Sequence, residues 1–423
     1  GALTTDTLGS QTTAIGSRAL NAQNFTTATN TYNTAVGADA GLSVSTGVRN
    51  TIVGGIAGDA LTEGNDNTVF GYNTLTSDTL GDKTVAIGRS VLSSQNFTTA
   101  TDTYNTAVGY AAGAQVTTGL QNTLIGGLAG DALTDSDYNV AVGYSALSSD
   151  TLGARNVAVG QESLASQNFT TATTSYNTAV GMNAGRLVTT GVQNTLIGGL
   201  AGDALTDADN NTALGYLALS AETDNNGNTA IGAEALKVQN AGGGGDARNT
   251  AVGFLAGAAV SSGTQNTLVG YNSGNEVTSG SKNVILGSYD GNGGGLDIRT
   301  SSNNIVLSDG DGNPRLLIDS DGRAYFNQGS SKFSGQAGLV STTANANHQC
   351  FSAANEATSG TRFFHYFLIG TGHTNVGSIT STGSSTAFNT TSDYRLKENV
   401  VELTGATTRL KQLEPKRFNF ITD

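Results

Sequence analysis

The chain has 423 residues and a formal net charge of −13, with charged side chains making up only 13% of it. Gly numbers 58 against 2 Pro while apolar residues reach 37%, a composition too apolar for disorder and too poor in Pro for collagen. The acidic balance argues against nucleic acid or an anionic membrane surface as a partner. A single cysteine, Cys350, excludes an internal disulfide framework and any cysteine-based metal cluster. No apolar run approaches the length that a membrane span needs, so no membrane insertion is expected. Because the sequence opens at Gly1 with neither Met nor a leader-like segment, the native N-terminus is read as missing.

From the first residues onward the dominant signal is an internal repeat. A five-residue unit, Asn-Thr-(Ala/Ile/Leu)-(Val/Ile/Leu)-Gly, closes on Gly16, Gly37, Gly54, Gly71, Gly88, Gly109, Gly126 and Gly143, and continues in the same cadence to Gly287. The spacing runs 21, 17, 17, 17 and then repeats, a 72-residue superrepeat on which Gly37, Gly109, Gly181 and Gly253 fall in phase. Such periodicity is the signature of a solenoid. Each 17-residue coil suits two short strands and two turns. The closing Gly supplies a positive φ or a close backbone approach, and the Asn four residues earlier tolerates the left-handed region and can form an amide ladder between coils.

The two residues before each Gly are apolar, as in Ala107-Val108 and Leu124-Ile125. Adjacent strand residues point to opposite faces, so both faces require burial. One fills the coil's own interior. A neighbouring chain is expected to cover the other, and a threefold axis is the simplest closed arrangement for a fibre.

Units such as Asn105-Thr-Ala-Val-Gly109 and Asn228-Thr-Ala-Ile-Gly232 resemble the head repeats of trimeric autotransporter adhesins, and more closely the Asn-Thr-Ala-Ile-Gly repeats of phage tail-fibre proteins. The resemblance spans roughly residues 10–290 and implies an all-β, trimeric, left-handed β-roll. Handedness and trimer number come from the resemblance alone. The coils are longer than those of the adhesin repeat.

The 21-residue coils carry four extra residues, in the nearly identical segments Gln23–Thr29, Gln95–Thr101 and Gln167–Thr173; the fourth is Gly-rich, at Ala241 to Gly245. If these project, Phe25, Phe97 and Phe169 form an evenly spaced sugar-binding row. The favoured expectation is a loop folded over the roll with its Phe tucked in. Asp59, Asp131 and Asp203, in the repeated Ala-Gly-Asp-Ala-Leu-Thr, are read as turn residues rather than a catalytic or metal row.

Beyond residues 1–295, read as the shaft, the register breaks. Asn304–Leu307, Arg315–Ile318 and Arg323–Phe326 read as three strands joined by Asp-Gly turns, a hairpin neck over 296–329. The turn Asp309-Gly-Asp-Gly-Asn313 resembles a calcium loop but lacks the distal Glu and the length, so neither metal nor cofactor is expected. Residues 330–391 are aromatic-rich, with Phe363-Phe-His-Tyr-Phe367 and all three histidines (348, 365, 373). They suggest a compact β tip and the place for receptor contact; the histidines are expected to be structural or surface groups.

At Ser392 the composition shifts: residues 392–423 hold 11 charges, against 42 in the 391 before them. The stretch Glu398–Leu413 reads as an amphipathic helix. Ser392-Asp-Tyr-Arg-Leu-Lys-Glu-Asn-Val400, approached by Ala387-Phe-Asn-Thr-Thr391, resembles the start of the self-cleaving intramolecular chaperone of phage tail spikes and fibres. That resemblance implies cleavage between Thr391 and Ser392, with Ser392 the nucleophile and Lys397 its base. A neutral Lys serves this role when burial lowers its pKa; on motif chemistry alone, Ser392 as a helix N-cap and Lys397 as a solvated charge is the simpler reading. The family's domain continues well beyond this point, so 392–423 is read as its start, and self-cleavage by this chain is not expected.

Together these readings describe a structural, receptor-binding tail fibre of a bacteriophage. It would be a homotrimer in the virion, joined to the tail or baseplate and contacting a host-surface glycan or protein, and not an enzyme apart from the self-cleavage. The alternatives are a bacterial trimeric surface adhesin, or a polysaccharide-cleaving tail spike. The latter needs paired carboxylates in a cleft, whereas every recurring carboxylate here sits in a turn.

Overall fold

The computed structural model describes residues 1–326, 362–369, 374–381, 386–390, 404–405 and 407–408. Residues 1–326 form a long parallel β-solenoid. Seventeen short strands, from Thr13–Ile15 to Ile305–Ser308, stack into one column. Neighbours pair in parallel one coil apart: Ala107 lies against Leu124 on one side and Ala86 on the other. At about 4.8 Å per strand the column is about 77 Å long.

Each coil contributes one repeating strand rather than two. The reason lies in its backbone. Around Gly109, positive φ values fall at Tyr104 (51°), Gly109 itself (140°), Ala111 (53°) and Gly113 (58°), and equivalent positions repeat along the roll. With left-handed residues so frequent, only three consecutive residues stay extended, and the remainder is a succession of tight turns. A second, two-residue parallel strand forms at the first three insertions, where Gly9–Ser10 pairs with Thr29–Asn30, Gly81–Asp82 with Thr101–Asp102 and Gly153–Ala154 with Thr173–Thr174. The closing glycines stack closely. A Cβ on Gly109 would collide with the carbonyl of Gly126, and the same holds coil after coil, so this column admits no side chain.

The Asn column is buried and acts differently from an amide-to-amide stack. Each side-chain oxygen accepts from the backbone N–H of the next coil's Asn, as from Asn122 to Asn105 and from Asn139 to Asn122 (both 2.9 Å). In most coils the amide nitrogen donates to a carbonyl at the end of its own coil, Asn105 to Gly119 and Asn122 to Ser136 (both 2.8 Å), whereas Asn156 and Asn304 donate to the Asn oxygen of the preceding coil. Both ends of a buried polar group are thereby satisfied.

The interior explains why the repeat spans four coils. At Ala86, Ala141 and Ala158, two residues before the closing Gly, the position four after that Gly is a buried Leu: Leu92, Leu147 and Leu164. Where the first position is Leu124, the second is Gly both in that coil (Gly130) and in the coil before (Gly113). A Cβ on either glycine would sit 2.7–2.8 Å from a Leu124 methyl. Leu196 stands against Gly185 and Gly202 in the same way, and Leu268 against Gly257 and Gly274. Large and small residues alternate across the thin core so that its volume stays constant. The buried leucines at these positions adopt φ values near +50°, a strain of about 1–2 kcal/mol each offset by burial of an aliphatic side chain.

The column ends by changing direction. Ile305–Ser308 pairs in parallel with Val284–Leu286 and antiparallel with Pro314–Ile318, which pairs with Ala324–Phe326. The hairpin expected from the Asp-Gly turns thus closes over the last parallel strand. A separate unit contains a three-stranded antiparallel sheet of Arg362–Ile369, Thr374–Ser381 and Thr386–Thr390. No described helix is long and apolar enough to cross a membrane.

Because the packing repeats every four coils, removing residues 90–161, one full superrepeat, should leave a folded roll with little change in Tm. Removing 110–126 deletes one coil together with Leu124 and leaves Gly130 facing a void. The cost should be about 2–5 kcal/mol, as for a buried Leu→Ala change. Circular dichroism melts of the two deletions should separate them clearly.

Candidate functional site

Two surfaces follow from this geometry: the insertions and the outward face of the strand column. At each insertion the Phe is tucked in, with Phe25, Phe97 and Phe169 only 6% exposed; they form no exposed sugar-binding row. Phe169 lies over Gly153 of the preceding coil, where a Cβ would come within 2.8 Å of its ring.

The insertion is fastened by a carboxylate that the glycine register did not bring to notice. Asp78, fully buried, accepts from the backbone N–H of Gly81 (3.1 Å) and Phe97 (3.0 Å) and from the Gln95 side-chain amide (2.7 Å). The Gln95 oxygen in turn accepts from Asn105 (2.9 Å), so the insertion is tied to the Asn column. Burial holds the Asp78 carboxyl above its usual range, against the lowering effect of Gln95 and the backbone donors. Asp150 with Gln167 (2.6 Å) and Glu222 with Gln239 (3.1 Å) repeat the arrangement. Asp78, Asp150 and Glu222 are the only fully buried acids among the described residues. The available sequence signal was an acid standing one coil before each insertion Gln: Asp6 before Gln23, Asp78 before Gln95, Asp150 before Gln167 and Glu222 before Gln239.

The repeated Asp59, Asp131 and Asp203 sit in separate coils, and no cluster of three or more His, Cys, Asp or Glu side chains suited to a metal occurs among the described residues. Each keeps one buried carboxylate oxygen without a hydrogen-bond partner, and burial raises the pKa of all three. Asp309 is engaged by its own turn. It accepts from the Asn313 backbone N–H (2.9 Å) and pairs with Arg315, and these partners hold its carboxyl down at about 2. Ser392, Lys397 and the cleavage point after Thr391 lie outside the described residues, as do His348, His373, Cys350 and nearly all of the expected helix Glu398–Leu413.

The outward face is the most extended chemical feature of the roll. The residue two before each Gly is buried along nearly the whole column, whereas the residue directly before it faces out: Ile15, Phe70, Ile125, Leu214, Val269 and Leu286 are exposed, and Val36, Val108 and Val180 half-buried. An unbroken row of large apolar side chains, one per coil, therefore runs the length of the column. Tyr72, Tyr144 and Tyr216, just past the Gly, lie along one border of this row, their rings over Gly55, Gly127 and Gly199 of the preceding coil.

No protein-family model, no curated protein and no solved structure matches the chain. The fold itself is a long β-solenoid of repeating turns, compatible with a repeat fibre.

A group whose folded pKa is raised is destabilised by ionisation, so the Asp59, Asp131 and Asp203 penalty is absent below about pH 3.9, the unfolded value, and grows as pH rises through the folded pKa. The triple variant D59N/D131N/D203N should melt about 2–4 °C above wild type at pH 7. The difference should disappear at pH 3, which paired thermal melts will show.

Proposed function

We propose that this chain is one protomer of a homotrimeric β-fibre of a bacteriophage tail, a structural element of the virion that attaches the particle to a host-surface glycan or protein. The observation that carries the reading is the outward apolar row. A continuous apolar strip as long as the strand column costs about 25 cal/mol for each Å² left in water, and exposed strips of this extent mark association surfaces. Identical copies meeting around an axis parallel to the column bury the strip on every protomer at once. Tyr and Arg beside an apolar centre are the side chains enriched in such interfaces. The net charge of −13, tripled on assembly, keeps a long rod dispersed and away from nucleic acid.

Light scattering should report three times the 42.7 kDa chain mass; a folded, soluble monomer would refute the assembly. Val108→Asp places a charge in the dry seam and should abolish the trimer.

The phage assignment rests on the resemblance of the repeats and of the Ser392–Val400 motif, and the same motif supports a processing role. The C-terminal segment assists trimer assembly, after which the Ser392 hydroxyl, its proton taken by Lys397, attacks the Thr391 carbonyl. The Thr391–Ser392 C–N bond breaks as the proton passes to the Ser392 amine, and water hydrolyses the resulting ester to leave a chain ending at Thr391. In a chain extended by a complete chaperone domain, the mature product should end at Thr391. Ser392→Ala and Lys397→Ala should each leave the product uncut but still trimeric, as intact mass will show. An uncut wild type would remove the self-cleaving assignment.

A further inference from the structure

A second column, five residues before each closing Gly, is independent of the apolar row. It reads Tyr32, Arg49, Asp66, Lys83, Tyr104, Gln121, Tyr138, Arg155, Tyr176, Gln193 and onward. The ten residues named all have a positive φ, between 51° and 63°. Where a fold demands the left-handed region, Gly, Asn and Asp are the least strained choices. Asp66 and Asn210 follow that rule, but most of the column is Tyr, Arg, Lys or Gln, which raises the backbone cost and adds nothing to the core. Tyr32, Tyr104 and Tyr176 are 53–56% exposed, so packing does not account for them.

These three tyrosines leave the three nearly identical insertions. They recur once per superrepeat, four coils or about 19 Å along the column. Each insertion is fastened by its buried Phe and by the Gln-centred hydrogen bonds, and its exposed Thr26 and Thr27, Thr98 and Thr99, or Thr170 and Thr171 precede the ring by five or six residues in the chain. Long donors occupy the coils on either side. Lys83 lies 5.0 Å from the centre of the Tyr104 ring and donates to its hydroxyl at 3.2 Å, while Arg155 lies 4.5 Å from that of Tyr138.

We propose that a neutral, hydroxyl-rich polysaccharide binds along this column, its sugar faces stacked on Tyr32, Tyr104 and Tyr176 and its hydroxyls bonded to the flanking Gln, Arg and Thr groups. This deepens, and rests on, the reading of the chain as an attachment fibre. Charge selects the ligand class. Arg49 is paired with Asp66, Lys83 with Asp102 and Arg248 with Asp246, so the column offers few uncompensated cations, and the chain as a whole repels an anionic polymer. The regular spacing selects a linear repeating partner. Individually weak seats then add through multivalency.

The test uses the full chain, which has no Trp, so its intrinsic fluorescence reports tyrosine directly. A panel of purified neutral and acidic bacterial surface polysaccharides is titrated in, and binding of labelled protein to bacterial cells is measured in parallel. A neutral member should bind and alter the fluorescence. Y32N/Y104N/Y176N removes the rings while placing an αL-tolerant residue at each position, so folding should be retained. It should lose about tenfold or more in affinity, and each single variant only about two- to threefold. Undiminished binding by the folded triple variant would overturn the site but leave the attachment reading standing. So would preference for acidic members, cell binding that survives enzymatic removal of surface carbohydrate, or protection of these tyrosines from N-acetylimidazole in the assembled protein. Failure of wild type to bind any cell would instead count against the attachment reading itself.

Discussion

The hydrogen bond from one Asn backbone N–H to the side-chain oxygen of the Asn one coil earlier is the constraint on which the rest of this molecule depends. It fixes the height and the rotation of each coil on the last, and it leaves no freedom for a one-residue slip, which would drive the buried Asn outward and the apolar row inward. Where Asn is missing, the neighbours compensate. Thr84 still donates its backbone N–H to Asn67 (2.9 Å), and its hydroxyl meets that of Thr103 (2.8 Å). With register secured by a polar column, the apolar positions need only fill volume.

That division of labour accounts for the four-coil period. So short a coil encloses too little space for two large side chains at one level, so Leu124 requires glycines at Gly113 and Gly130, while Ala141 and Ala158 admit Leu147 and Leu164. The insertion enters the same scheme. Its Gln takes a position that the other coils give to Val116, Leu133 or the acid Asp150, all fully buried. An apolar column therefore gains polar steps at each insertion, and the Asp–Gln–Asn chain satisfies them without any buried cation. A buried carboxylate held only by neutral donors is costly, and here it yields a rigid insertion.

The surface divides as clearly as the interior. The apolar row is the surface on which association between copies is proposed, whereas the column of Tyr, Gln, Arg and Lys in left-handed conformations adds nothing to the core. An elongated solenoid whose core is one side chain thick has a large lateral surface, and repetition presents the same chemistry at fixed intervals along it. Recognition of a repeating partner is therefore within reach of a fold built without a deep internal site.

The sequence by itself determined the repeat, the register and the parallel pairing, because a regular spacing of glycines translates directly into stacked strands. It determined that the two residues before each Gly lie on opposite faces, and it placed the hairpin after Leu307 through its Asp-Gly turns; which of the two faces inward was decided by the structure. It also indicated that Phe25, Phe97 and Phe169 turn inward and that Asp59, Asp131 and Asp203 are turn residues. The tertiary structure decided what depends on the coils above and below. It reduced two expected strands per coil to one, since the left-handed positions at Tyr104, Ala111 and Gly113 appear only when the chain is closed into a coil. It revealed Asp78 beneath Gln95, and it exposed the rows of tyrosines that the repeat alone did not single out. The reason is the same in each case: a periodic pattern states which residues share a column, but burial and pairing within that column are set by the volumes and donors of its neighbours, and these exist only once the coils are stacked.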